Sequence, residues 1–89
     1  MANKLIQDPI YLICGKLLKE TPKAVYIRVD SVEDNELTVP QNEWFPKSQI
    51  VDQRLADPVF EPDTLDRFNA KRWIMQEKGL LKYAEGKIQ

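Results

Sequence analysis

The sequence predicts an α+β fold: a small antiparallel sheet of three to five strands, curled toward a barrel, with one C-terminal helix packed on it. Three observations carry this. Residues 24–29 alternate apolar and polar with a period of two. Prolines and Asp/Asn-rich turns punctuate the first two thirds of the chain into short apolar runs. The last third holds one longer apolar pattern of helical spacing, bounded by Asp63 and Gly79. A length of 89 residues allows one small domain with one core.

Ile10-Tyr11-Leu12-Ile13-Cys14 is a short apolar, β-branched run that Leu17-Leu18 extends past Gly15, where a glycine within a strand pattern marks a bulge or bend. Thr21-Pro22 breaks the run. From Ala24 to Val29, Val25, Ile27 and Val29 face one way and Ala24, Tyr26 and Arg28 the other. Glu33-Asp34-Asn35-Glu36 reads as a turn and Leu37-Thr38-Val39 as a returning strand, so residues 24–39 form a β-hairpin that Pro40 ends. A further strand is expected around Trp44-Phe45-Pro46, on an edge or at a bulge because of Pro46, and a short one at Gln49-Ile50-Val51. Residues 1–54 are therefore mainly strands, 55–62 a connector, 63–79 a helix and 82–89 a polar tail that frays. In the helix, Asp63 is the N-cap, Asp66 stands where a capping-box acid would, and Gly79 is the C′ residue. Leu65, Phe68, Trp73, Met75 and Leu80 make its buried arc. Arg67, Lys71, Ile74 and Lys78 make an exposed stripe at i, i+4, i+7 and i+11.

Composition excludes several chemistries. The chain has no His and one Cys, so zinc fingers, haem ligation, Cys–His nucleophiles and Ser–His–Asp triads have no residues to build them, and no internal disulfide forms. No apolar run approaches the ~20 residues of a membrane span, and the N-terminus lacks the charged-then-apolar order of a signal peptide. Lys47-Ser48 has no glycine near it to cradle a phosphate, and Ser48 no nucleophile elbow. The acid cluster Asp30, Glu33, Asp34 and Glu36 fails the calcium-loop spacing and reads first as solvated turn residues. Cys14 reads as a small core residue. The expectation is a non-enzymatic binding module, without cofactor or metal, in a reducing cytoplasm.

A formal net charge of -1 hides segregation. Residues 1–29 carry five basic and two acidic groups, residues 30–63 two against nine, and residues 64–89 six against three. The acidic middle either neutralises the basic ends or forms a face of its own. Two binding surfaces follow. The first is a protein-binding acidic patch, Asp30, Glu33, Asp34 and Glu36, complementary to a basic, nucleic-acid-handling partner. The second is a single-stranded nucleic-acid surface of Tyr26, Arg28, Lys47, Arg67, Lys71 and Lys78, in which strand aromatics stack bases and cations meet phosphates. Tyr26 is open between core and surface, whereas Trp44 is assigned to the core. The -7 segment beside that face opposes the second surface. A third reading, a homo-oligomer, rests on an exposed Ile74 and a free sheet edge near residues 37–39.

Several residues also carry a likeness. Glu20-Thr21-Pro22-Lys23-Ala24-Val25, Trp44-Phe45-Pro46-Lys47-Ser48-Gln49-Ile50, Trp73-Ile74 and Lys78-Gly79-Leu80 resemble the pattern E-T-x-K-A, W-x-P-K-S-Q-I, W and K-G-L of small bacteriophage and prophage proteins. The likeness touches roughly residues 20–80. It implies a phage-encoded accessory protein of the host-cell cytoplasm; with the acidic segment, the expectation is a protein that binds and modulates a host or phage protein, a host-defence enzyme among them, as an inhibitor would. No settled activity comes with it. The hairpin Asp30–Glu36 is longer and more acidic than the pattern, which detaches any ligand the family binds there from this chain.

Overall fold

The computed structural model describes residues 9–84. Five strands, β1 (Ile10–Glu20), β2 (Ala24–Val32), β3 (Asn35–Pro46), β4 (Ile50–Arg54) and β5 (Asp66–Lys71), form one antiparallel sheet in the order β3-β2-β1-β5-β4. Two short helices follow, α1 (Arg72–Glu77) and α2 (Leu81–Ala84). The α+β class is as the sequence predicts. The sheet curls without closing. Its edge strands β3 and β4 are joined only by the 3-10 turn Lys47–Gln49, which reaches about 14 Å, whereas the edges of a flat five-stranded sheet stand ~19 Å apart. No ladder joins β3 to β4.

The curl is built into β1. It pairs with β5 from Ile10↔Lys71 to Gly15↔Asp66 and with β2 from Ile13↔Val32 to Glu20↔Val25, so only residues 13–15 are paired on both sides. Register shifts at Cys14/Gly15 and Leu17/Lys19 mark the irregularity the sequence placed at Gly15. The buried face carries Ile13, Val25, Ile27, Val29, Phe45, Phe68 and Ala70; α1 adds Ile74 and Met75, and the link between the helices adds Leu80, to the same cluster. Both helices therefore pack on one face, and among the described residues no helix covers the other, the outer face.

The predicted helix over 63–79 is corrected. Its first half is strand β5, with Asp66, Phe68 and Ala70 buried and Arg67, Asn69 and Lys71 facing outward. Six residues of alternation are short enough to pass for helical spacing; what decides them is that β1 and β4 both pair with this segment. Asp63 is accordingly no N-cap. Only Arg72–Glu77 is α-helical before the stop, and the first free N–H, of Arg72, donates to the Pro9 carbonyl at 3.1 Å. The stop is as expected. Gly79 has φ +71, Leu80 N–H donates to the Met75 carbonyl at 2.8 Å and Gly79 N–H to that of Gln76 at 3.1 Å, the paired bonds of a Schellman ending. The arc holds for Phe68, Met75 and Leu80, which are buried, but Trp73 is 49% exposed. Of the expected tail over 82–89, residues 82–84 belong to helix α2 (Leu81–Ala84), and residues 85–89 lie outside the described residues.

The hairpin stands, with a longer return strand. Pro40 does not end β3, because an edge strand tolerates a missing N–H and the pairing slips opposite it, between Val29 and Ser31. The turn is tight: Val32 pairs with Asn35, and Glu33 and Asp34 take φ 51° and 66°. Both values belong to a type I′ turn, which favours Asn-Gly and burdens a side-chain-bearing residue. Replacing Asp34 by Gly is expected to stabilise the fold by roughly 0.5–1 kcal/mol, read as a melting temperature higher by a few degrees. An unchanged or lower melting temperature would count against the strained turn.

Candidate functional site: the outer face of the sheet

Directly opposed residues of an antiparallel pair project to the same side, so the register gives the outer face row by row. One row is Trp44–Tyr26–Lys19, across β3, β2 and β1; the next is Asn42–Arg28–Lys16. On the other wing, Cys14–Arg67–Arg54 and Leu12–Asn69–Asp52 run across β1, β5 and β4. The bulge at Leu18 aligns the first row: after Leu17↔Ile27 it adds one residue, which brings Lys19, in place of Leu18, opposite Tyr26.

The Tyr26 and Trp44 ring centroids are 4.8 Å apart with planes tilted by 32°, and the Lys19 ammonium stands 6.0 Å from the Tyr26 centroid. Since the row order is Lys19, Tyr26, Trp44, the lysine and the indole flank the phenol from opposite sides. Trp44 lies on an edge strand with no strand beyond it among the described residues and is 40% exposed. Its outward π-face is available. Trp44 is thus no core residue: Phe45, its neighbour, takes the buried position, and alternation sends Trp44 outward.

Of the nucleic-acid residues expected from sequence, Tyr26, Arg28, Arg67 and Lys71 come together on this face, and two do not. Lys47 lies in the 3-10 turn, paired with Glu20 at 2.5 Å. Lys78 follows α1 on the helical side, where its carbonyl accepts from Gln41. The stripe Arg67–Lys71–Ile74–Lys78 dissolves, since it crosses a strand-to-helix junction, and Ile74 is 2% exposed, which removes one support of the oligomer reading. The free edge at 37–39 remains, with Leu37 buried and Val39 exposed. Cys14 faces outward, half-buried, beside Arg67. Sequence reasoning missed Lys16, Lys19, Trp44, Arg54 and Asn69. The adjacency Trp44-Phe45 signals that one of the two must face away from the core; which one depends on the register.

The acidic patch is partly consumed within the fold. Asp30 takes both Nε and Nη2 of Arg28 at 2.9 Å, and this bond raises the guanidinium further above its ordinary pKa, so Arg28 stays charged. The Glu33 carboxylate accepts the Leu12 N–H at 2.6 Å. Of the four, only the carboxylates of Asp34 and Glu36 have no hydrogen-bond or ion-pair partner among the described residues. Elsewhere in the acidic segment, Glu43 accepts from Gln41, and Glu61 pairs with Arg54 at 2.9 Å. That bond, with a second from the Asp57 N–H, holds the Glu61 carboxyl below its ordinary range. The -7 segment therefore makes no single acidic surface. On the outer-face rows and the bulge beside them, among the described residues, the cations Lys16, Lys19, Arg28, Arg54, Arg67 and Lys71 outnumber the acids Asp30, Glu36, Asp52 and the Arg54 partner Glu61.

Among the described residues, no helix is long and apolar enough to cross a membrane, and no three His, Cys, Asp or Glu side chains are grouped to hold a metal ion. Comparison of the chain with protein-family models, curated proteins and solved structures finds no match.

Proposed function

We propose that the outer face binds single-stranded nucleic acid, with the free face of Trp44 as the base-stacking platform and the surrounding cations as phosphate contacts. The observation that carries this reading is the Lys19–Tyr26–Trp44 row, in which two aromatic rings and a cation are held in line by strand register on a face that no helix covers among the described residues. An indole at a sheet edge can take a base of any sequence, since every base has a π-face, and this suits a sequence-tolerant contact. The excess of cations on the same rows supplies the attraction that phosphate binding requires. The protein acts by occupancy and not by turnover; in the setting the phage likeness implies, it is an accessory protein of the infected cell.

The test uses intrinsic fluorescence. In a Trp73→Phe background, oligothymidylate and oligouridylate should quench Trp44, with an affinity that falls steeply as salt rises. Trp44→Ala should weaken binding, followed by anisotropy of a labelled oligonucleotide, by about 1–3 kcal/mol, roughly 5- to 150-fold. Absence of binding at low salt, or full affinity in the alanine variant, would overturn the reading.

Capture of a basic protein partner is the second reading, favoured by Asp34 and Glu36, whose carboxylates have no hydrogen-bond or ion-pair partner among the described residues, at the hairpin tip. It rests on two carboxylates where the sequence suggested four.

A further inference from the structure

On the wing of the outer face away from Trp44, the chain places two arginines directly opposite one another. Arg54 of β4 and Arg67 of β5 are register partners, and like charges so placed in an antiparallel pair repel. A sheet under no other demand puts opposite charges or polar groups there. Arg54 has a counter-ion, Glu61, at 2.9 Å. Arg67 has no carboxylate within salt-bridge distance among the described residues. Arg67 therefore stands without an ion pair among the described residues, at a recess of about 390 Å³ lined by Leu12, Asp52, Gln53, Arg54, Arg67 and Asn69, in which Asp52 is the one carboxylate.

We infer that this recess is an anion subsite that takes a phosphate group, held between the Arg67 and Arg54 guanidiniums. Two planar, permanently charged forks matched to tetrahedral oxygens are the chemistry that recognises phosphate. Asn69, one row along, offers an amide donor. Asp52 stands opposite Asn69 and accepts the N–H of Gln53 at 2.8 Å. Its charge confines the phosphate to the arginine row. The subsite is separate from the stacking row: on β1 it lies beside Cys14, and Tyr26 lies beside Lys19. The proposal extends the stacking reading and rests on it only for the source of the phosphate, which is a nucleic-acid backbone if that reading holds and a free phosphate or phosphomonoester if it does not.

The arginine side-chain Nε–Hε resonances of the whole chain give a direct readout. Titration with inorganic phosphate should move the Arg67 and Arg54 signals saturably, leave the Trp44 indole signal in place, and have no counterpart in sodium chloride of matched ionic strength. Arg67→Gln, an exposed substitution that also removes the repulsion, should weaken the phosphate response at least tenfold without loss of fold. With oligothymidylate, wild-type protein should move both Arg67 and Trp44, and Arg67→Gln should lower the salt slope of binding by about one. A phosphate response without any oligonucleotide effect on Trp44 supports the subsite and removes the stacking reading. Equal shifts in chloride, or an Arg67→Gln response equal to wild type, overturn the subsite even if Trp44 is still quenched.

Discussion

Gly15→Ala is expected to abolish the native fold. A Cβ on Gly15 would lie 1.8 Å from the carbonyl oxygen of Arg28, 2.9 Å from its carbonyl carbon and 3.3 Å from the amide nitrogen of Asp30. All three are backbone atoms of β2, so no rotamer change relieves the clash; β2 itself must move off β1. That displacement would break the ladder at the point where β1 passes from β5 to β2, and with it the curl that brings β3 and β4 together. Ordinary overpacking of a core costs about 1–3 kcal/mol with side chains able to yield. Here the strands must separate, so the cost should exceed about 4 kcal/mol, a large part of the 5–15 kcal/mol available to a small domain. Denaturant unfolding followed by tryptophan fluorescence checks this. Gly79→Ala is the matched control. Gly79 has φ +71, and a Cβ there would meet nothing within 4 Å, so its cost is the left-handed backbone alone, about 1 kcal/mol. If Gly15→Ala unfolds cooperatively within about 1 kcal/mol of wild type, the close approach of β1 and β2 is not a constraint on the fold.

The legible parts of this fold are those fixed by local chemistry. Alternation at Ala24–Val29 gave β2 and its outward Tyr26 and Arg28; Glu33-Asp34 gave the turn, and Gly79 the helix stop. Gly15 showed as an irregularity, although nothing local tells that its neighbour is the Arg28 carbonyl. What could not be read depended on partners distant in sequence. Asp66–Lys71 is a strand because β1 and β4 flank it, and its own six residues fit a helical arc nearly as well. Trp44 stands outward because Phe45 is opposite the buried Val25, a fact of register. Charge misled in the same way: the run from Asp30 to Asp63 sums to a strong negative charge, yet Asp30, Glu33, Glu43 and Glu61 each turn to a partner within the fold. Sequence segregation predicts a charged surface only when the segment stays together on one face, and this one is spread over two sheet faces, a turn and a connector.

Asp66→Ala should lower the melting temperature by more than roughly 10 °C, through loss of two hydrogen bonds that no other group replaces. The carboxylate is buried, 6% exposed, and has no cationic partner among the described residues. Its oxygens are taken instead by two main-chain donors, Oδ2 by the Leu17 N–H at 2.9 Å and Oδ1 by the Ala56 N–H at 2.8 Å. β5 begins at Asp66, so this side chain serves β1 just past the point where strand pairing ends. The same carboxylate ties down the connector after β4. Alanine would leave both amides unsatisfied, at about 1–3 kcal/mol each. Asparagine, with one oxygen, keeps a single acceptor and should fall about halfway between. Hydrogen exchange locates the effect: Leu17 and Ala56 amides should lose protection beyond the global change in either variant. The Leu17 bond also matters to binding, because Leu17 borders the bulge that sets Lys19 against Tyr26. Asp66→Asn, where enough stability survives to measure it, should therefore weaken oligonucleotide quenching of Trp44 although Asp66 lies on the opposite, buried face. Wild-type stability in Asp66→Ala would mean that water satisfies those amides and that the bulge holds without its anchor.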